Sequence, residues 1–329
     1  MATSKDVAKL AGVSHATVSR VFASPDKVSE KMIERVYKAS RELNYVPNSL
    51  ASGLKHTKPR IVGLIISNVK NSFFTRIAYN IQTSLSERRA NLLIGFSNED
   101  IEVEKDCISL HLSYRTSTIL FTPSIYDVEL ERTMKLSTDV RFIQLFRNCY
   151  ENIDSIVVDD RKGTQMITEA FIKKGHKKIL LIDGQSNIPT YRDLGYIDAF
   201  KNKGLEVDER FLIQLSLDKE NQSTINDLID ELKPTGIIAV SEIMTAQVVE
   251  VINNRGFKIG EDIGLAAYDD SYIAKTLNLT SIGHDEQAII SLIMNCLNEV
   301  IYANSNDHFH IKIDPILNER KSIQTIQGE

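Results

Sequence analysis

Residues Thr3 to Phe22 read TSKDVAKLAGVSHATVSRVF. Thr3 is placed to cap a helix, with Asp6 three residues on as its capping-box partner. Val7, Ala8, Leu10 and Ala11 recur at helical spacing and form an apolar stripe. Gly12 permits a turn that a helix cannot make, and Ser14 offers a second N-cap. Val18, Val21 and Phe22 supply a second apolar stripe. Two short helices joined by a Gly-containing turn of about 3–4 residues are the sequence form of a helix-turn-helix. In that motif the second helix enters the major groove of DNA, N-terminal residues foremost. The spacing turns His15, Ala16, Ser19 and Arg20 outward and Val18 and Val21 inward.

A third helix is expected from the N-cap Ser29 to Leu43, with Met32, Ile33, Val36, Tyr37 and Leu43 on its apolar side. Three helices in roughly 45 residues make a marginal core. Residues 44–55 then read NYVPNSLASGLK. Pro47 ends the preceding element. Asn48 caps a short further helix holding Leu50, Ala51 and Leu54. That helix is too short to stand alone in water, and Gly53 weakens it. Beside the basic linker Lys55, His56, Lys58 and Arg60 it reads as a segment that orders in a complex.

The charge distribution agrees. Residues 1–60 hold eleven Lys and Arg against five Asp and Glu, a net +6; against a total of −5, the rest of the chain carries −11. A basic small domain on an acidic body is what results when only one end meets phosphates. With 329 residues there is room for two or three domains of about 100–200 residues. The N-terminus carries no apolar signal region and no run is long enough to span a bilayer, so a soluble cytoplasmic protein with no membrane partner is expected. Cys107, Cys149 and Cys296 lie far apart without metal-ligand spacing and read as thiols of a reducing compartment.

From Arg60 onward the pattern changes. Ile61-Val62-Gly63-Leu64-Ile65-Ile66 is an apolar run of the kind found in strands buried on both faces. Helical stretches then alternate with strands: helix 73–88, strand 91–96, helix 101–114, strand 118–121, helix 127–136, strand 141–146. After Ile156-Val157-Val158 come helix 162–174, strand 178–182, helix 191–203, strand 211–215, helix 223–232, strand 236–240, helix 243–255 and strand 263–268. This rhythm specifies an α/β architecture of parallel sheets covered by helices. The stretch is too long for one sheet, so two doubly wound subdomains are expected. Their strand ends would face each other across a cleft.

SKDVAKLAGVSHATVSRVF, then VSEKMIERV, then LNYVPNSLASGL resembles the N-terminal domain of the LacI/GalR family of bacterial transcription repressors. The resemblance implies a periplasmic-binding-protein-like body and runs essentially the length of the chain. It implies a helix-turn-helix domain at 1–47, a hinge helix and linker at 48–59, and an effector-binding and dimerisation body at 60–329. Within the body, subdomain one is expected at about 60–159 and 284–303, and subdomain two at about 160–283 and 304–329, with His308–Ile313 a late strand of the second. His15, Ala16 and Arg20 match the base-reading positions; Arg bonds guanine O6 and N7 bidentately. Ser14, Thr17 and Ser19 are candidate phosphate contacts. Asn48 belongs to the hinge, and Leu54 matches the leucine wedged into the minor groove, which kinks DNA. Gly53 stands where many relatives carry a larger residue, so a looser hinge is expected.

For the cleft, the strand ends offer Asn68, Phe73 and Phe74; Asp159 with Asp160; Arg192 in YRDLGY; Ser241 and Glu242; and Asp269 with Asp270. Arg192 and Asp269 match the family's main effector contacts, and Phe73 or Phe74 its stacking aromatic. The expected ligand is a sugar or sugar derivative, since hydroxyls need polar partners and an apolar sugar face stacks on rings. The chain departs from the family at Asn68 (often Asp), at Asn71-Ser72 (often Asn-Pro) and at Ser241-Glu242 (often Asn-Asp). A site with fewer acids would favour a phosphorylated or acidic sugar, with Arg192 as the anion partner.

The resemblance implies a dimer on a pseudo-palindromic operator, its DNA affinity set by the ligand; no leucine-heptad tail follows Asn318-Glu319-Arg320-Lys321-Ser322. A sugar-binding protein without DNA binding would have no use for residues 1–59, whereas a protein co-regulator fits the same sequence. No Gly-rich phosphate loop and no metal-spaced His/Cys cluster is present, so neither cofactor, metal nor catalysis is expected. His176 and His284 read as structural.

Overall fold

The computed structural model describes residues 2–45, 61–88, 90–303 and 308–326, the side chains of residues 23, 26 and 298–303 excepted. The chain separates into two units, Met1–Pro59 and Arg60–Glu329.

In the first unit, helices α1 (Ser4–Ala11), α2 (His15–Ala23) and α3 (Glu30–Glu42) enclose a small core. The capping box forms as its residues dictate: the Thr3 hydroxyl accepts from the Asp6 amide, and the Asp6 carboxylate accepts from the Thr3 amide at 2.8 Å. Gly12 closes α1 with φ +61°, and a Cβ there would lie 2.6 Å from the Arg35 guanidinium, so the turn is reserved for glycine. Val7, Ala8, Ala11, Val18, Val21, Val36 and Ala39 are buried. Leu10, Met32 and Tyr37, expected on apolar faces, stay exposed. Three short helices cover one another only along a narrow seam, and these residues fall outside it. Tyr37 instead meets the Phe22 ring edge-on at 5.5 Å. Ser29 occupies the N-cap of α3 without a side-chain capping bond.

The second unit holds two six-stranded sheets. Sheet one is built from β1 (Ile61–Ile66), β2 (Asn91–Phe96), β3 (Thr118–Phe121), β4 (Arg141–Leu145), β5 (Asp154–Val158) and β11 (His310–Ile313), in the order β11-β5-β4-β3-β1-β2, all parallel. Sheet two takes β6 (Ile179–Gly184), β7 (Leu212–Leu215), β8 (Gly236–Val240), β9 (Gly264–Tyr268), β10 (Thr280–Gly283) and β12 (Ile316–Asn318), in the order β12-β10-β9-β8-β6-β7. Only β12 runs antiparallel to its neighbour. The buried runs sit centrally: β8 and β9 are covered throughout, whereas β2 is an exposed edge.

Helices α4 (Ser72–Glu87) and α12 (Glu286–Ala303) cover one face of sheet one. Helices α5 (Ile101–Ser113) and α6 (Val128–Leu136) cover the other. Sheet two is flanked by α7 (Asp160–Lys173), α8 (Arg192–Asn202), α9 (Gln222–Leu232), α10 (Glu242–Asn254) and the short α11 (Tyr272–Thr276). Helices α7 and α8 approach unusually closely. A Cβ on Gly195 would overlap the carbonyl oxygen of Arg161. That approach brings the first turns of the two helices, with Asp160 and Arg192, side by side.

The strand at 310–313 does not belong to the second subdomain. It pairs in parallel with β5, His310 opposite Ser155 and Ile313 opposite Val158, and so forms the edge of sheet one. The chain therefore passes from sheet one to sheet two between Ile313 and Ile316, not after residue 303 as the expected subdomain bounds have it. Parallel pairing with β5 satisfies the backbone of a strand too polar to sit in the middle of a sheet.

Candidate functional site

On the first unit, α2 presents His15, Ala16, Ser19 and Arg20 to solvent and turns Val18 and Val21 inward. The Ser14 hydroxyl accepts from the Thr17 amide at 3.1 Å and lies 2.9 Å from the Thr17 hydroxyl. Ser14 thus sets the start of the helix, and half-buried Thr17 supports it. His15 Nε2 is 2.8 Å from Ser4 Oγ, which ties the imidazole to the first turn of α1. Asn48 and Leu54 lie outside the described residues.

On the second unit, residues following the strand ends of the two sheets enclose a cleft of about 710 Å³. Asn68, Phe73, Phe74, Asp159, Arg192, Ser241 and Asp269 all line it. Glu242 does not. It opens the first turn of α10, and the next residue, Ile243, faces the cleft in its place. Ser241, buried with φ +79°, caps α10 by accepting from the Met244 amide. Asn68 accepts from the Lys70 amide at 2.7 Å and shapes the loop after β1. Asp270 faces away, bonded to Ser281 and Arg320 at 2.7 Å each.

The aromatic wall is larger than expected. Phe73, Phe74 and Phe146 form a trio with centroid separations of 4.9–5.7 Å. Phe73 is mostly core, and its ring also meets His284 at 5.5 Å. Phe146 follows β4 with φ +67°. As the last residue of the expected strand 141–146 it carries no sequence signal of its own; the structure ends β4 at Leu145.

Arg192 is engaged on both sides. Its guanidinium pairs with Asp160 at 2.9 Å and with Asp183 at 3.1 Å, and lies 4.7 Å above the Tyr268 ring. The Tyr268 hydroxyl donates to the other Asp160 oxygen at 2.8 Å. Burial alone would disfavour the Arg192 charge, but Asp160 and Asp183 outweigh it and hold the side chain charged. Two carboxylates already match this cation, which argues against the expected preference for an anionic sugar. Asp183, near the end of β6, is not among the residues singled out from the sequence, although it directly follows the expected strand 178–182.

The other lining charges are also paired. Asp159 caps α7 through the Lys162 amide at 3.0 Å and meets Lys312 at 2.8 Å. Burial works against its charge, yet these contacts hold its carboxyl below the usual value. Arg147 grips Glu99, and Lys70 reaches from the loop after β1 to Asp218 after β7 at 3.6 Å. Asp269 differs: among the described residues its nearest basic group is His284 Nε2 at 3.8 Å. Burial raises its carboxyl above the ordinary range, and His284 and Arg192 oppose that shift. The cleft therefore presents a free acceptor beside an apolar aromatic wall.

Comparison with known proteins agrees with this layout. The family described as bacterial regulatory proteins, lacI family, matches residues 3–48, and the periplasmic binding protein-like domain matches residues 168–323. The ribose operon repressor of Bacillus subtilis (strain 168) is 31% identical over 274 residues, 82% of each chain. The HTH-type transcriptional repressor PurR of Vibrio atlanticus is 26% identical across 99% of this chain and 100% of that protein. The lac repressor dimer bound to operator and the anti-inducer ONPF superposes with a TM-score of 0.80 at 23% identity, covering 98% of this chain and 99% of that one. The helix-turn-helix, the paired sheets and a relative of this closeness place the chain in the lacI family of bacterial regulatory proteins.

Proposed function

We propose that this protein is a transcription repressor that binds a pseudo-palindromic operator as a homodimer in the cytoplasm. In this reading a small polyhydroxylated effector, a sugar or sugar derivative, sets its operator affinity from the cleft. The observation that carries the reading is the exposed row His15, Ala16, Ser19 and Arg20 on a capped recognition helix. The same chain holds a ligand-sized cleft with an unmatched carboxylate, Asp269. The residue division at 1–47, 48–59 and 60–329 is part of this proposal. So are phosphate contacts by Ser14, Thr17 and Ser19, hinge roles for Asn48 and Leu54, and the absence of a catalytic step.

The dimer is supported by an apolar surface on sheet one. Ile94 and Phe96 on the open edge strand β2, and Val103, Leu110 and Tyr114 on or just after the adjacent α5, are all exposed. A monomer seldom leaves such a group uncovered. The effector class is supported by the relatives named for ribose and by the hydroxyl acceptor beside the phenylalanine wall. The same wall favours a second reading, a flat nucleobase, because three rings offer a stacking surface.

A ligand shifts operator affinity only by its differential affinity for the two arrangements of the subdomains. Selection of duplexes from a random library by the full-length protein tests the DNA half. Enrichment of an inverted repeat is expected, and no enrichment at low salt defeats it. Thermal melting against neutral sugars, sugar phosphates and nucleobases tests the cleft, since a ligand of the folded state raises the midpoint. A neutral sugar is the expected hit; a nucleobase alone would replace the sugar reading.

A further inference from the structure

We propose that His284 and Asp269 share a proton at the cleft wall and thereby make effector binding weaken as the pH falls. The proposal rests on the reading of the cleft as the effector site. His284 follows β10 where the chain crosses between the sheets, and only 5% of its side chain is exposed. It lines the cleft, and its Nδ1 has no hydrogen-bond partner among the described residues. Its Nε2 stands 3.8 Å from Asp269 Oδ1, about one ångström too far for a hydrogen bond. Asp269 is itself held in a left-handed conformation, φ +83°, at the end of β9.

The surrounding charges leave this pair unmatched. From α7 and α8, Asp160 and Arg192 face it, already bonded to each other. From α12, Glu286 faces it, and Arg76 of α4 takes that carboxylate at 2.9 Å. The Phe73 ring closes one side of the imidazole, and Tyr268 lies on another. Burial lowers the proton affinity of His284 and raises that of Asp269, so the two draw together toward one shared proton.

At neutral pH the pair is an uncharged imidazole beside a carboxylate. That carboxylate accepts from an effector hydroxyl. Adding one proton gives an imidazolium whose Nε2–H closes on Asp269 and takes the same oxygen. The effector therefore binds the deprotonated pair, and its binding excludes one proton. Affinity rises with pH up to the midpoint of the pair and is flat above it. Below the midpoint the loss approaches tenfold per pH unit, the limit for one linked proton.

Two measurements on the full-length protein test this. The first is histidine NMR titration of the unliganded protein, with His284 assigned by its loss in His284→Gln. Asp269→Asn is expected to lower the His284 midpoint by about one pH unit, since it removes the partner charge. The second is calorimetric titration with D-ribose, D-glucose and cellobiose at pH 5.5, 6.5 and 7.5. The sugar that binds should do so several-fold more weakly at pH 5.5 than at 7.5. His284→Gln, checked for folding by thermal melting, should bind with reduced affinity that is flat across this range. An unchanged histidine midpoint in Asp269→Asn, or equal sugar affinity at all three pH values in the wild type, overturns the proposal while leaving the effector reading intact. If no sugar binds at any pH, the effector reading fails and the pH-linked binding fails with it, whatever the histidine titration shows.

Discussion

Arg192 lies with its guanidinium 4.7 Å from the centre of the Tyr268 ring, and the Tyr268 hydroxyl bonds the same Asp160 that pairs with Arg192. The arginine is thus stacked and ion-paired before any ligand arrives. A planar, always-charged group suits this role, and lysine could not reproduce it.

Arg192→Ala should cost about 3 kcal/mol of stability, because Asp160 and Asp183 would be left largely buried without their cation. Urea unfolding measures this. Adding Asp183→Asn to the alanine variant should recover part of the loss; a double variant as unstable as the sum of the singles would show that the pair is not coupled.

Glu104 on α5 is fully buried, with one carboxylate oxygen accepting from the Ser124 amide at 2.7 Å and the other without a partner among the described residues. Burial pushes its carboxyl up to about 7 from 4.5. A raised carboxyl pKa means the folded state binds more protons than the unfolded state between those values. Its contribution is therefore greatest below about pH 4.5 and is lost as the pH rises through about 7, on the order of 3 kcal/mol. Melting curves of the wild type and Glu104→Gln from pH 4.5 to 8 check this: the slope assigned to Glu104 should vanish in the glutamine variant.

Gly195→Ala should destabilise the second subdomain by about 2 kcal/mol through the overlap with Arg161. It should also weaken ligand binding, because separating α7 from α8 moves Asp160 away from Arg192. Normal stability with normal ligand affinity would contradict the close-approach argument.

Arg20→Ala should lose roughly 1–3 kcal/mol of discrimination at one base pair of the selected operator. Competition binding against single-base operator variants reads this directly. A uniform loss across all variants, with a shallower salt dependence, would make Arg20 a phosphate contact instead.

Leu110→Asp places a charge in the exposed apolar surface formed with Ile94, Phe96 and Tyr114. Sedimentation should show a shift from dimer toward monomer, and operator affinity should fall by at least tenfold, since each half-site would then be bound alone. Unchanged association would move the interface elsewhere.

Much of this was legible in the chain. The capping box at Thr3 and Asp6, the turn at Gly12 and the outward row on α2 follow from local rules that need only neighbouring residues. The strand–helix rhythm of the body likewise followed from apolar runs, and polar residues just after strands marked most of the cleft. What escaped depended on tertiary context. The partner of β11 is set by where the chain crosses, which a four-residue strand of alternating character does not encode. The double pairing of Arg192 depends on how closely α7 and α8 pack, and on the reach of Asp183 from β6. The role of His284 depends on a 3.8 Å gap to a residue in another loop. Glu242 was misplaced because the turn at Ser241 rotates the next side chain away from the cleft.

The placement of β11 also bears on biosynthesis. Sheet one takes its edge strand from residues that leave the ribosome after all the parallel strands of sheet two. Until residue 313 emerges, β5 shows an unpaired backbone edge, a template for joining other nascent chains. Domains usually fold as units during synthesis, N-terminal first. Here the earlier half must wait, bare along one margin, for the later half to be made.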